Sequence, residues 1–256
     1  HGSATVGFAD YRPVLEAALA LIPPGCSVSI LADRGFLHGE FMRWASAQGW
    51  SWSVRGKIDT HIRFASGKIK QTQDLLPAVG EAVLLPNVTL FEDIPVHLAI
   101  AKVPETQDPW IVFHDRHQPP SLQSFARYGR RFGGIEPHFK DYKSAAFRVL
   151  DTHLRDAQAL TCLFMLLDCA TLLAIVLGLM AVQLRQRGFI DAHPQRGLSF
   201  LQLGLRSISR WLHRGELLPQ LTQLPNKSPP TASASKRKQQ QLDCRIEFSR
   251  VVTLAC

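Results

Sequence analysis

An apolar run, Val28–Ala32, that stops at Asp33-Arg34-Gly35-Phe36 constrains the fold of this chain more than any other segment. A run of this length bounded by turn residues reads as a buried strand, and Gly35 marks the turn that ends it. Glu40–Gln48 has helical periodicity, and Trp50–Lys57 alternates as strands do. Two strands joined through a helix lie parallel, because the crossover returns the chain to its starting edge. The segment therefore predicts an α/β core. It places Asp33 at the carboxyl end of a parallel strand, the edge where open α/β sheets bind ligands. A lone Asp there is more often a turn or cap residue.

A second segment, Tyr128–Lys143, sets one acid among cations and aromatics. Phe132, Ile135, Phe139 and Tyr142 recur at helical spacing and define a buried face. Glu136, Lys140 and Lys143 share a neighbouring face. Arg130, Arg131, Lys140 and Lys143 would surround Glu136 with phosphate partners, and Tyr128 could stack on a base. The plain alternative is a solvated, salt-bridged helix face. Arg55 and Lys57, ending the strand after the Asp33 helix, could add backbone contacts. His114, Asp115 and His117 cluster before Pro119-Pro120, a common place for such residues.

Elsewhere the chain reads in blocks. Tyr11–Leu21 is helical and closed by Pro23-Pro24-Gly25. Residues 59–118 carry short β-type runs between Pro, Gly and Asn turns, the pattern of an inserted β-rich subdomain. Ala157–Val182 is almost wholly apolar and long enough to span a bilayer. Asp168 near its middle would cost about 2.5–3.5 kcal/mol there, which favours a core helix over a membrane span. A further amphipathic helix covers roughly Leu198–His213. Residues 215–256 read as a basic, disordered tail, with no account of its apolar end. The expected division is 1–58 core, 59–118 insertion, 119–214 helical part of the core, and 215–256 tail.

The net charge of +8 favours a polyanionic partner. Five scattered cysteines without a CxxC argue against a disulfide framework or a zinc site and fit a reducing compartment. Cys162 and Cys169 are expected to be buried thiols in the apolar helix. P-loop, HExxH, GxSxG and dinucleotide fingerprints are absent.

LADRGF (Leu31–Phe36) and YGRRFGGIEPHFKDYKS (Tyr128–Ser144), in this order around a β-rich insertion, resemble DDE transposases of bacterial insertion sequences. The similar group carries its third acid in a Y-R-E-K pattern. The resemblance runs from His1 to about Pro219 and implies an RNase H-like fold with a triad of acids holding Mg²⁺ or Mn²⁺. Asp33 matches the second acid and Glu136 the third, both as catalytic metal ligands. Tyr128, Arg131 and Lys143 match the remaining letters, which contact DNA near the scissile phosphate. Two departures stand out. Arg131 to Glu136 is one position longer than the family spacing, which a π-bulge at Gly133-Gly134 could absorb. The family's first acid lies on an earlier strand, and neither Asp10 nor Glu16 matches it. The chain is thus expected to be N-terminally truncated, an incomplete RNase H-like core without its opening strands.

Three functions follow. The first is a DDE transposase catalysing metal-dependent cleavage and strand transfer of insertion-sequence ends. The second is a catalytically dead remnant that binds DNA or an intact transposase. The third is a single-span membrane protein. By descent the first leads. For this polypeptide's own activity the second does, so the fragment is expected to be inactive. Its expected partner is DNA, with a homodimer as a candidate assembly and no membrane. The expected location is the bacterial cytoplasm, at the nucleoid.

Overall fold

The computed structural model describes residues 6–103, 106, 108–117, 119–123, 125, 138–193, 196–219 and 247–254. The chain divides into two compact units, residues 1–133 with 245–256, and residues 134–244.

The first unit is a mixed sheet with helices. Helix α1 (Phe8–Leu21) leads into β1 (Ser29–Ala32), α2 (Gly39–Ala47) and β2 (Ser51–Arg55). β1 and β2 are parallel, with Ser29 opposite Ser51 and Ala32 opposite Val54. The crossover read from the sequence is therefore present. On α2, Phe41, Met42 and Ala45 are buried. These residues share a core with Trp52, Val54 and Phe8. The α1 side of this core is aromatic: Tyr11 meets Phe36 edge-on at 4.9 Å, and Trp44 meets Trp50 at 5.3 Å.

Five more strands follow: β3 (His61–Arg63), β4 (Ile69–Gln71), β5 (Glu81–Leu90), β6 (Ile94–Ala101) and β7 (Trp110–Asp115). Their pairing is antiparallel, and the sheet order is β1-β2-β7-β6-β5-β3-β4. The β-rich stretch expected at 59–118 thus continues the first sheet through the β2–β7 pair. Alternating and fully apolar strands account for this. β6 and β7 are buried almost throughout, as central strands must be.

A last strand, β8 (Arg250–Thr253), runs parallel to the first half of β5, with Glu81 opposite Arg250 and Leu84 opposite Thr253. This corrects the expectation of a disordered tail for these residues. The segment is short but β-branched, and Phe248 packs on buried Phe125 at 5.7 Å. A bulge between Leu85 and Val88 divides β5, so its first half pairs β8 and its second half pairs β3.

The His114, Asp115 and His117 group proves structural. Ser53 and the His114 ring, both buried, share a hydrogen bond of 2.7 Å across the β2–β7 pair. The Asp115 carboxylate accepts from the backbone N–H of Trp52 at 3.2 Å and of His117 at 2.6 Å. Asn87 N–H donates to His97 Nδ1 at 3.0 Å, so the opposite nitrogen carries the proton and donates to the Arg116 carbonyl. These hydrogen bonds tie β2, β6 and β7 together and fix their register.

In the second unit, residues 138–140 form a helical turn that widens into a π-helical turn, Asp141–Ala145. Of the face expected to be buried, Tyr142 is buried but Phe139 is 53% exposed. The change of helical pitch ends the regular spacing on which that face was drawn. The Tyr142 hydroxyl donates to the Asp168 carboxylate, and its ring lies 4.4 Å from His138. Burial first, then this bond, hold the Tyr142 phenol above its usual pKa.

Helix α3 (Ala157–Gln183) starts at Asp156, whose carboxylate caps Ala159 N–H at 2.7 Å. Its buried residues all lie between Thr171 and Ala181. Only 28% of its most apolar window is buried, and Met165, Leu166 and Leu172 are each more than 60% exposed. Cys162 and Cys169 are also exposed, which corrects the expectation of buried thiols. Apolar composition predicted burial, but the partner helix covers only the second half. That partner, α4 (Phe200–His213), is capped by Ser199. Before it, Asp191 accepts from the N–H groups of Gly197 and His193 and from Arg187. Burial alone would raise its pKa, but these donors outweigh it and hold the carboxyl below its usual value.

Candidate nucleic-acid interface

Three chain segments meet at one edge of the first unit: the end of β1, the end of β2 and the start of β7. Because Ala32 and Val54 are registered partners on parallel strands, the next residues, Asp33 and Arg55, leave the same sheet edge. β7 returns antiparallel to β2, with Val112 opposite Arg55, which brings Trp110 and the preceding Asp108 to that edge.

Asp33 is exposed and occupies the cap position of a tight turn, Arg34–Phe36. Its carbonyl accepts from Phe36 N–H at 2.9 Å, but its carboxylate makes no capping bond. The turn therefore fixes the backbone while the carboxylate has no role in the cap. Arg34 turns to Asp108, with Nη2 2.7 Å from the carboxylate. The Arg55 guanidinium lies over the Trp110 ring, 5.7 Å from its centroid. The hydrogen bond from Arg34, then its charge and that of Arg55, hold the Asp108 carboxyl below its usual pKa. One carboxylate thus stands beside two guanidiniums and an indole, a surface suited to a phosphate backbone.

The end of β2 is shaped by Gly56. A Cβ there would lie 2.5 Å from the Phe113 ring and 2.8 Å from Ile111, so only glycine lets β7 close against this turn. Lys57 follows, exposed, and its carbonyl accepts from the Thr72 hydroxyl at 2.7 Å.

Of the residues singled out in the sequence, the structure brings Asp33 and Arg55 to one edge, with Lys57 two residues beyond. Lys140 and Lys143 lie exposed on the second unit. Tyr128, Arg130, Arg131, Glu136 and the Gly133-Gly134 pair lie outside the described residues. Arg34, Asp108 and Trp110 were missed as site residues. Arg34 stood within the quoted motif, but its partner is 74 residues away and no local spacing could show it. The acids upstream of Asp33 are occupied within α1: Asp10 accepts from Gly7 N–H at 2.7 Å, and Glu16 pairs with Arg12 at 2.7 Å.

The resemblance implies a divalent cation. Among the described residues no group of three or more His, Cys, Asp or Glu side chains could hold a metal ion. Asp33 offers one hard oxygen donor of the type Mg²⁺ prefers, and Glu136, the other expected ligand, is not described.

A search of curated proteins found no match. A model of the transposase DDE domain family matches residues 9–173, a span holding both Asp33 and the whole Tyr128–Lys143 segment. Members of that family act on DNA and generally use a divalent metal. The mixed α/β architecture, a largely antiparallel sheet with a parallel β1–β2 pair and helices, is consistent with its RNase H-like domain. With more than half of its length matched, this chain belongs to the DDE transposases.

Proposed function

We propose that the chain binds DNA across the edge formed by β1, β2 and the start of β7, and that the polypeptide itself binds without cutting. The observation that carries this reading is the pairing of Asp33 and Arg55 at one sheet edge. Asp33 and Glu136 are the acids of the phosphoryl-transfer centre inherited from the family, a pair suited to Mg²⁺ or Mn²⁺. Arg55, Lys57, Tyr128, Arg130, Arg131, Lys140 and Lys143 hold the phosphate backbone. Two-metal phosphoryl transfer calls for a further acid, and the intrahelical engagement of Asp10 and Glu16 supports binding without cleavage.

A cleavage assay separates the two family readings. The purified chain is incubated with end-labelled DNA carrying the insertion-sequence ends, with Mg²⁺ and then Mn²⁺, and strand scission is read on a denaturing gel. Retarded DNA without scission is expected. Scission that disappears in both Asp33→Asn and Glu136→Gln would overturn the non-cutting reading and establish a working transposase.

One observation favours a membrane reading: α3 has a mean hydropathy of 2.4 over its most apolar window and is mostly uncovered. Against it stands Asp168, which accepts the Tyr142 hydroxyl. Recovery of the chain in the soluble fraction without detergent excludes a membrane span.

A further inference from the structure

We propose that Arg34 is a DNA-phosphate contact whose seat Asp108 occupies in the free chain, so that binding exchanges a carboxylate for a phosphate. The inference rests on the DNA-docking reading above and assigns it a residue pair that the sequence did not single out. Arg34 and Asp108 meet at 2.7 Å, and their side chains are 39% and 64% exposed. An exposed ion pair of this kind contributes little to stability, so exchanging it costs little. A guanidinium presents the same fork of donors to carboxylate and to phosphate, and the phosphate carries charge along a continuous backbone. Arg55, held over Trp110, adds its charge at Asp108. The Asp108 carboxylate therefore marks where two guanidiniums favour an anion, close to the edge from which Asp33 emerges.

The exchange has a signature in salt dependence. Each phosphate neutralised by a cation releases about 0.9 counterion from duplex DNA. The Arg34 contact therefore adds its share to the salt slope, while breaking the exposed ion pair with Asp108 subtracts from the affinity.

The test is anisotropy of a fluorescein-labelled duplex titrated with the full chain from low to moderate NaCl, for wild type, Asp108→Asn, Arg34→Ala and the double variant. Asp108→Asn is expected to bind about 5-fold more tightly at low salt, the size of one exposed ion pair. Arg34→Ala should lower the log K against log salt slope by about 1, and Asp108→Asn should keep the wild-type slope. In the Arg34→Ala background the Asp108→Asn gain in affinity should shrink, because no ion pair is left to exchange. Weaker binding by Asp108→Asn, or a wild-type slope in Arg34→Ala, would show that Asp108 only staples the loop before β7. Failure of every variant, wild type included, to bind at low salt overturns the docking reading and this inference together.

Discussion

Gly204→Val is expected to break the α3–α4 pair. A Cβ at Gly204 would lie 1.7 Å from the carbonyl oxygen of Ala174 and 2.5 Å from its carbon. The contact is reciprocal, since a Cβ at Gly178 would lie 2.0 Å from the Phe200 carbonyl oxygen. These obstacles are backbone atoms inside helices, which cannot swing aside as a side-chain tip can. The helices must separate, and Leu177, Leu201 and Leu203, all buried, lose their packing. Overpacking a core costs about 1–3 kcal/mol where side chains can adjust. Here the cost should reach at least about 3 kcal/mol, because adjustment requires moving whole helices. Urea unfolding followed by far-UV circular dichroism measures it. A loss below about 1 kcal/mol would show that the two helices do not depend on this crossing.

Phe113→Ala should cost about as much in the first unit, roughly 3–5 kcal/mol. Phe113 is fully buried on β7, registered with Val54 on one side and Leu98 on the other. Its ring fills the space left by the missing side chain of Gly56, so removing it opens a cavity between three strands. That geometry makes the two positions interdependent. Gly56→Ala alone drives a methyl to 2.5 Å from the Phe113 ring. Combined with Phe113→Ala, the clash with the ring disappears, leaving the 2.8 Å contact with the Cγ2 methyl of Ile111. The double variant should therefore be destabilised by less than the sum of the single losses, with a coupling of about 1 kcal/mol or more. Additive losses would contradict close packing of ring against glycine.

The legible parts of this fold are the local ones. Val28–Ala32, the turn at Gly35, the helix after it and the alternating strand to Lys57 each carry their own signal, and the structure places them within a few residues. Long-range pairing carries no such signal. Nothing in residues 110–115 says that they will lie against β2 and merge the β-rich stretch with the parallel pair. Nothing in Arg250–Thr253 names β5 as its neighbour. Burial was misread where composition stood in for contact: Cys162 and Cys169 sit on an apolar helix, yet the half that carries them is uncovered. Asp168 looked out of place in that helix until the Tyr142 hydroxyl supplied its partner. At the candidate site, the acid at the strand end could be read from Asp33 alone. The Arg34–Asp108 pair could not, because it closes across 74 residues.

The most direct test of DNA docking at the β1–β2 edge is the salt dependence of duplex binding by wild type and by Arg55→Ala combined with Lys57→Ala. Both side chains lie at or just beyond the end of β2, and Lys57 is exposed, so the fold should tolerate the change. Anisotropy of a labelled duplex gives the affinity at each salt concentration. The account predicts weaker binding and a log K against log salt slope shallower by about 2, one unit for each lost phosphate contact. Wild-type affinity and slope in the double variant would contradict it.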